Sequence, residues 1–248
     1  MKFSCSVLIF WLLSLLSSVV IAEEPDWSNY NKLLSQYVKP GQINHVKLMK
    51  VDYLGIKHDA VFKELVSQIA NFDINKLSNQ KEKLAFYINA YNILAIKVVI
   101  DHWPVKSIKD VGSFFSPVWK VDAGKINHQL VSLHEVEHEI LRKMGEPRIH
   151  MAIVCASVSC PDLRSEAYTA KKIDQQLDEQ SNMFLANTRK GLYIKNNTAY
   201  VSKIFDWFEA DFNEVGGVRN YIRQYNSAIT ASTKIEPDIQ YNWQLNKQ

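Results

Sequence analysis

Two short stretches hold the side chains best suited to chemistry. The first is His134-Glu-Val-Glu-His138, which fits the H-E-x-x-H spacing of zinc peptidases. Two histidines four apart on one helical face can share a metal, and the Glu between them can activate its water. That chemistry wants a helix packed into a cleft floor. Here Glu137 fills the second variable position, Glu139 follows His138, and no Gly-x-x-His follows downstream. The zinc reading is therefore disfavoured, and His134 with Glu135 reads as a solvated helix start. Glu137 and His138 are different, because a His beside a carboxylate can be oriented and kept basic for proton transfer.

The second stretch is Arg148-Ile-His-Met-Ala-Ile-Val-Cys-Ala-Ser-Val-Ser-Cys-Pro-Asp-Leu-Arg164. Its continuous apolar run over 148–156 predicts a buried strand. In a strand, His150 and Cys155 would lie on opposite faces, roughly 17 Å apart. Cys160 precedes Pro161, a residue favoured in the first turn of a helix, where amide dipoles would favour a thiolate. Cys160 is the expected nucleophile, and Cys155 a structural or resolving thiol. A Cys155–Cys160 disulfide is the competing expectation in an oxidising compartment.

The elements that must position these groups read as follows. Trp27 to Val38 is amphipathic and ends at Lys39-Pro40-Gly41; an extended piece spans 43–53, and a helix is expected from about Asp59 to Asn71. Leu84, Ile88, Tyr91, Ala95 and Val99 repeat at helical spacing in 80–102, closed by Trp103-Pro104. A hairpin is expected to turn at Ala123-Gly124, and Ser132 to Glu135 is a capping box opening a helix to Met144 that Gly145 ends. Helices are expected over 168–186, 204–212 and 218–225, a hairpin turning at Asn196-Asn197, and an edge strand over 239–245. The sum is α+β, a helix-rich single domain with a small mixed β-sheet.

Met1-Lys2, the apolar stretch 7–21 and Val20-Ile-Ala22 before Glu23-Glu24 predict a signal peptide over 1–22, with 23–248 as one globular domain. The expected protein is exported, periplasmic or extracellular, with no membrane span once the signal is removed. The net charge of +3 falls to +2 without Lys2. The lysines are scattered, so nucleic acid is not an expected partner. No phosphate loop or nucleotide fingerprint calls for a cofactor.

Several motifs occur together in one order: Phe86-Tyr-Ile-Asn-Ala-Tyr-Asn92, Trp103-Pro-Val105, Glu137-His138 with Arg142, Arg148-Ile-His150, Cys155 to Pro161, Phe205-Asp-Trp207 and Asp211-Phe212. This pattern resembles the family catalogued as domain of unknown function 547, over about 37–225. The resemblance implies an exported bacterial member and assigns Asn89, Tyr91, Asn92, Glu137, His138, Arg142, His150, Cys155, Cys160 and Pro161 to the motif. The position of His134 is more usually acidic in that family, which also counts against zinc. Asn44-His45 departs from the family, which more often has Tyr at the second position.

Asn89 and Asn92 lie on one face of the long helix, where their amides can orient a partner, donate to an oxyanion, or cap loops in the core. With Cys160, His138 or His150, and Glu137, they make up a nucleophile, a base, an orienter and donors. The leading expectation is a cysteine-dependent hydrolase or acyltransferase, papain-like in arrangement, acting on an amide or thioester of a small molecule or peptide. The alternatives are a non-enzymatic periplasmic binding or assembly module with a Cys155–Cys160 disulfide, and a metal site using Cys155, Cys160 and His138 or His150.

Overall fold

The structure, a computed structural model, describes residues 24–113 and 117–248. The expected signal peptide lies outside the described residues.

Helix α1 (Ser28–Tyr37) runs into a hairpin of β1 (Val38–Ile43) and β2 (Val46–Val51). Its turn is Asn44-His45, both at positive φ (48° and 64°), the backbone a two-residue hairpin turn demands. Asp52 and Asp59 then cap α2 (Tyr53–His58) and α3 (Ala60–Asn71), accepting from the backbone N–H groups of Gly55 and Val61.

Asn79 caps α4 (Gln80–Asp101), whose residues are buried on almost every face. This 22-residue helix is long and apolar enough to cross a membrane, yet it is the sheathed axis of the larger core. A helix that is apolar all round needs neighbours on all sides, and segments from Trp27 through Leu177, with Leu245 of the tail, supply them.

The second hairpin pairs β3 (Asp122–Ile126) with β4 (Gln129–Ser132) and turns at Asn127-His128, not at the expected Ala123-Gly124. Asn127 tolerates the positive φ that such a turn needs. Gly124 serves another purpose: a Cβ there would lie 2.5 Å from Leu94 Cδ2, so the missing side chain lets β3 press onto α4.

The expected strand over 148–156 does not form. Pro147 to Met151 is a 3₁₀ turn instead, with the Glu146 side chain accepting from Arg148 N at 3.0 Å, and irregular chain follows. The apolar run is buried because it passes against α4. There Asn92 donates to Ala152 O at 3.0 Å and accepts from Val154 N at 2.8 Å, replacing the ladder partners of a strand.

Helix α5 (Ile173–Ala186) starts five residues later than expected. The chain before it is held extended by Asn89, which donates to Tyr168 O (2.8 Å) and accepts from Tyr168 N (2.9 Å). Strands β5 (Leu192–Lys195) and β6 (Thr198–Ser202) turn at Asn196-Asn197 as expected. The expected helix over 204–212 divides into α6 (Ile204–Trp207) and α7 (Glu209–Phe212), and α8 (Val218–Tyr225) follows.

The last strand, β7 (Lys234–Ile239), lies earlier than expected and joins β6 in parallel, making that three-stranded sheet mixed. The remaining tail straps back over the molecule: Val158 and Ser159 donate to Gln244 O and Asn242 O, and Asn246 N donates to Ala156 O. The fold is thus helix-rich α+β. A smaller apolar cluster from α5, the mixed sheet and α6 to α8 stands beside the core around α4.

Candidate functional site

Between these two clusters opens a cleft of about 350 Å³. Tyr91 of α4, the helix that follows β4, and the disulfide loop line one side. Residues of α6, Phe208, Tyr241 and Trp243 of the tail, and Trp119 line the other.

The helix after β4 begins as the capping box requires. Ser132 N and Oγ donate to Glu135 Oε2 (2.7 and 2.8 Å), and Glu135 N donates to Ser132 Oγ (3.1 Å). Glu135 is therefore occupied in the cap and does not serve as the base of a zinc motif. From Glu135 to Leu141 the turns widen into a π-helix, with Arg142 N donating to Glu137 O five residues back. Such turns are rare and gather at functional sites. Gly145, at φ 67°, ends the helix as expected.

The widened turns stack the His134 ring on that of His138, centroids 4.3 Å apart. His138 Nδ1 accepts from Arg142 Nη1 at 2.7 Å. Burial, with His134, Arg142 and His150 adding to it against the opposing pull of Asp211, pushes His138 down to about 4. At neutral pH its ring is therefore uncharged, with the proton assigned to Nε2 by the Arg142 contact.

Arg142 is the hub of the polar network. Its Nε and Nη2 grip Asp211 Oδ2 and Oδ1 at 2.6 and 2.7 Å, a bidentate pair. Asp211 Oδ2 also accepts from His150 Nε2 at 2.7 Å. Burial alone would raise the Asp211 carboxyl, but the hydrogen bonds and charges of His150 and Arg142 outweigh it and hold that group well below the usual carboxylate range. His150, almost wholly buried, lies flat on Phe208 with centroids 4.1 Å apart, and burial lowers its pKa.

Glu137 sits differently. Among the described residues, the hydrogen bond its carboxyl receives comes from Tyr91 OH, at a long 3.3 Å. Burial raises Glu137 to about 7, with the Tyr91 bond and the Arg142 charge pulling it down and Asp211 pushing it up. A largely desolvated carboxyl with one long hydrogen bond prefers its neutral form.

Both sulfurs face the cleft, but they are joined: Cys155 and Cys160 form a disulfide, with Cα atoms 6.0 Å apart. No helix begins at Cys160-Pro161, so the dipole expected to favour a thiolate there is missing. The sulfurs are not thiolate metal ligands either. Among the described residues, no three His, Cys, Asp or Glu side chains group closely enough to hold a metal ion. His150 and Cys155, expected on opposite faces of a strand, line the same cleft because the strand is absent.

Of the residues singled out from the sequence, Tyr91, Glu137, His138, His150, Cys155 and Cys160 meet at the cleft, as do His134 and Pro161. Arg142 supports them from behind. Asn89 and Asn92 do not line the cleft; their amides hold backbone at Tyr168, Ala152 and Val154. Sequence reasoning gave no role to Asp211 or to the ring wall of Trp119, Trp207, Phe208, Tyr241 and Trp243. The signals were present: Asp211-Phe212 is one of the motifs that carry the family resemblance, and Tyr241-Asn-Trp243 puts two large rings in a polar tail. Trp207 remains 46 % exposed and packs on Tyr241 and Trp243, with centroids 4.8 and 5.7 Å away.

No curated protein and no solved structure matches the chain. One family does, over a segment that takes in α4, the π-helix, the disulfide loop and most of α5, while Asp211, Trp207 and the tail lie beyond it. Residues 74–185 match the model of the family described as Protein of unknown function, DUF547.

Proposed function

We propose that the cleft is the active site of a hydrolase or acyl transferase acting on an amide or thioester, with Glu137 moving the proton. The observation that carries this reading is one under-compensated carboxyl set in a ring-walled cleft beside a neutral imidazole. A carboxyl that titrates near 7 is populated in both forms at neutral pH. It can take a proton from an attacking group and return one to a leaving group. His138 offers an Nε2–H, and His150 is oriented by Asp211 as acyl-transfer sites orient an imidazole. The exposed face of Trp207 fits the apolar or ring portion of the substrate.

With the cysteines joined, the attacking group in this state is water or an acceptor hydroxyl or amine. Cys160, the nucleophile favoured from the sequence, takes that role only after reduction. Export is part of the same proposal, supported by the apolar stretch 7–21 and by a disulfide suited to an oxidising compartment. The disulfide also favours a second reading, a binding or assembly module that uses the cleft without turnover.

A panel of p-nitrophenyl esters, acyl thioesters and peptide anilides separates the two. The enzyme reading expects turnover that rises through pH ~7 and drops about 100-fold or more in Glu137→Gln. Equal rates in both chains would overturn it. Ligand binding without turnover, unchanged in Glu137→Gln, would establish the binding module.

A further inference from the structure

The surroundings of the two sulfurs are unequal, and the inequality has a direction. Cys160 is 2 % exposed, whereas Cys155 is partly open to the cleft. The Ser157 and Tyr241 hydroxyls stand between the sulfurs, 3.2 Å from Cys155 Sγ and 3.3 Å from Cys160 Sγ, while the Cys155 N–H, at 3.0 Å, is directed to Cys160 Sγ. Behind it, the buried Lys190 ammonium donates to Cys160 O at 2.8 Å and to Asp162 Oδ1 at 2.8 Å. A neutral disulfide sulfur is a poor acceptor, so an N–H of its own and two shared hydroxyls are more than Cys160 Sγ needs. A thiolate is a far better partner for them.

The loop that carries this arrangement is held from outside. The tail binds it at Ala156, Val158 and Ser159, and the same tail delivers Tyr241. These ties to the tail do not run through the sulfurs.

We propose that Cys155–Cys160 is an exchange-active disulfide that oxidises small dithiols entering the cleft, with Cys155 attacked and Cys160 leaving. The substrate thiolate forms a bond to Cys155 Sγ as the Cys155–Cys160 bond breaks, and the electron pair leaves on Cys160 Sγ among its donors. The second substrate thiol, deprotonated, then attacks its own sulfur in the mixed disulfide and releases Cys155 as a thiolate that takes up a proton. The dithiol is oxidised to a disulfide, and the protein disulfide is reduced to a dithiol. Stabilising the departing thiolate speeds such exchange and makes the disulfide more oxidising. The proposal does not depend on the acid–base reading above, since it concerns Cys155, Cys160 and Tyr241 rather than Glu137.

The test uses the full folded chain with glutathione and dithiothreitol as probes. Brief exposure to glutathione, an acid quench and peptide mapping should place the mixed disulfide on Cys155. Dithiothreitol should reduce the bond much faster than the chain unfolds under the same conditions. Tyr241→Phe should slow that reduction about threefold to tenfold, by removing one donor to the leaving sulfur. In the reduced wild-type chain, ultraviolet thiolate absorbance should show one cysteine titrating below the free-thiol value of about 8.5. Reduction no faster than unfolding, or adduct on Cys160, would overturn the proposal. A Tyr241→Phe chain that folds normally and reacts at the wild-type rate would remove the role of Tyr241 and, with both thiols titrating at or above the free value, the oriented leaving group as well.

Discussion

One short helix carries two acidic neighbourhoods that the fold treats in opposite ways. On the Arg142 side, Asp211 receives two guanidinium bonds and an imidazole bond, so its charge is met. On the Tyr91 side, Glu137 receives one long phenolic bond and lies in apolar surroundings. The first cluster stabilises the ionised carboxylate and ties α7 to the helix after β4. The second disfavours ionisation and costs stability. On the reading proposed above, tolerating the second beside the first gives up stability for proton-transfer capacity, the trade expected at an active site.

The sharpest way to break the comparison is Asp211→Ala. It strips Arg142 and His150 of their shared anion, both already largely removed from water, and should cost about 3 kcal/mol in urea denaturation. A loss under about 0.5 kcal/mol would mean the network is ornamental.

Glu137→Gln should move stability the other way. Because the folded-state pKa of Glu137 is raised from 4.5 to about 7, its contribution is full below pH 4.5 and is lost as pH climbs through 7. The shift is worth at most about 3 kcal/mol, and partial exposure reduces that to about 2. Glu137→Gln should therefore raise the unfolding midpoint at pH 8 and leave it nearly unchanged at pH 4. Asp211 has the reverse sign: its depressed pKa gives stability above pH 3.8 that disappears as pH falls through its folded value.

Tyr91→Phe is a smaller probe. It removes the hydrogen bond that lowers Glu137, so the carboxyl should titrate higher still, at a stability cost of about 1 kcal/mol. Smallest of all is His134→Ala, which removes a half-buried ring stacked on His138. Its stability change should stay within about 0.5 kcal/mol, and His138 should titrate slightly higher without the neighbouring ring.

How the sequence foretold these regions divides along the same physical line. Features with local causes were readable: the Ser132–Glu135 box, the Gly145 stop, the Asn196-Asn197 turn and the period of α4 each depend on residues a few positions apart. Features set by distant partners were not. The run 148–156 looks like a strand because it is apolar, but its backbone is satisfied by Asn92, some sixty residues earlier. Gly124 looks like a turn residue because its neighbour across space, Leu94, is invisible in the chain order.

The site divides in the same manner. Glu137 and His138 stood out by type and spacing, whereas Asp211, Tyr241 and Trp243 reach the cleft only through the tertiary course of α7 and the tail. The π-helical widening that stacks His134 on His138 has no sequence signal that we can identify.

The most direct measurement is the titration of the Glu137 carboxyl in the folded chain, by carbon-detected magnetic resonance with selective labelling and Glu137→Gln for assignment. The account predicts a midpoint near 7, shifting upward in Tyr91→Phe. A midpoint at the ordinary glutamate value of about 4.3 would contradict it, leaving the cleft without its proton carrier.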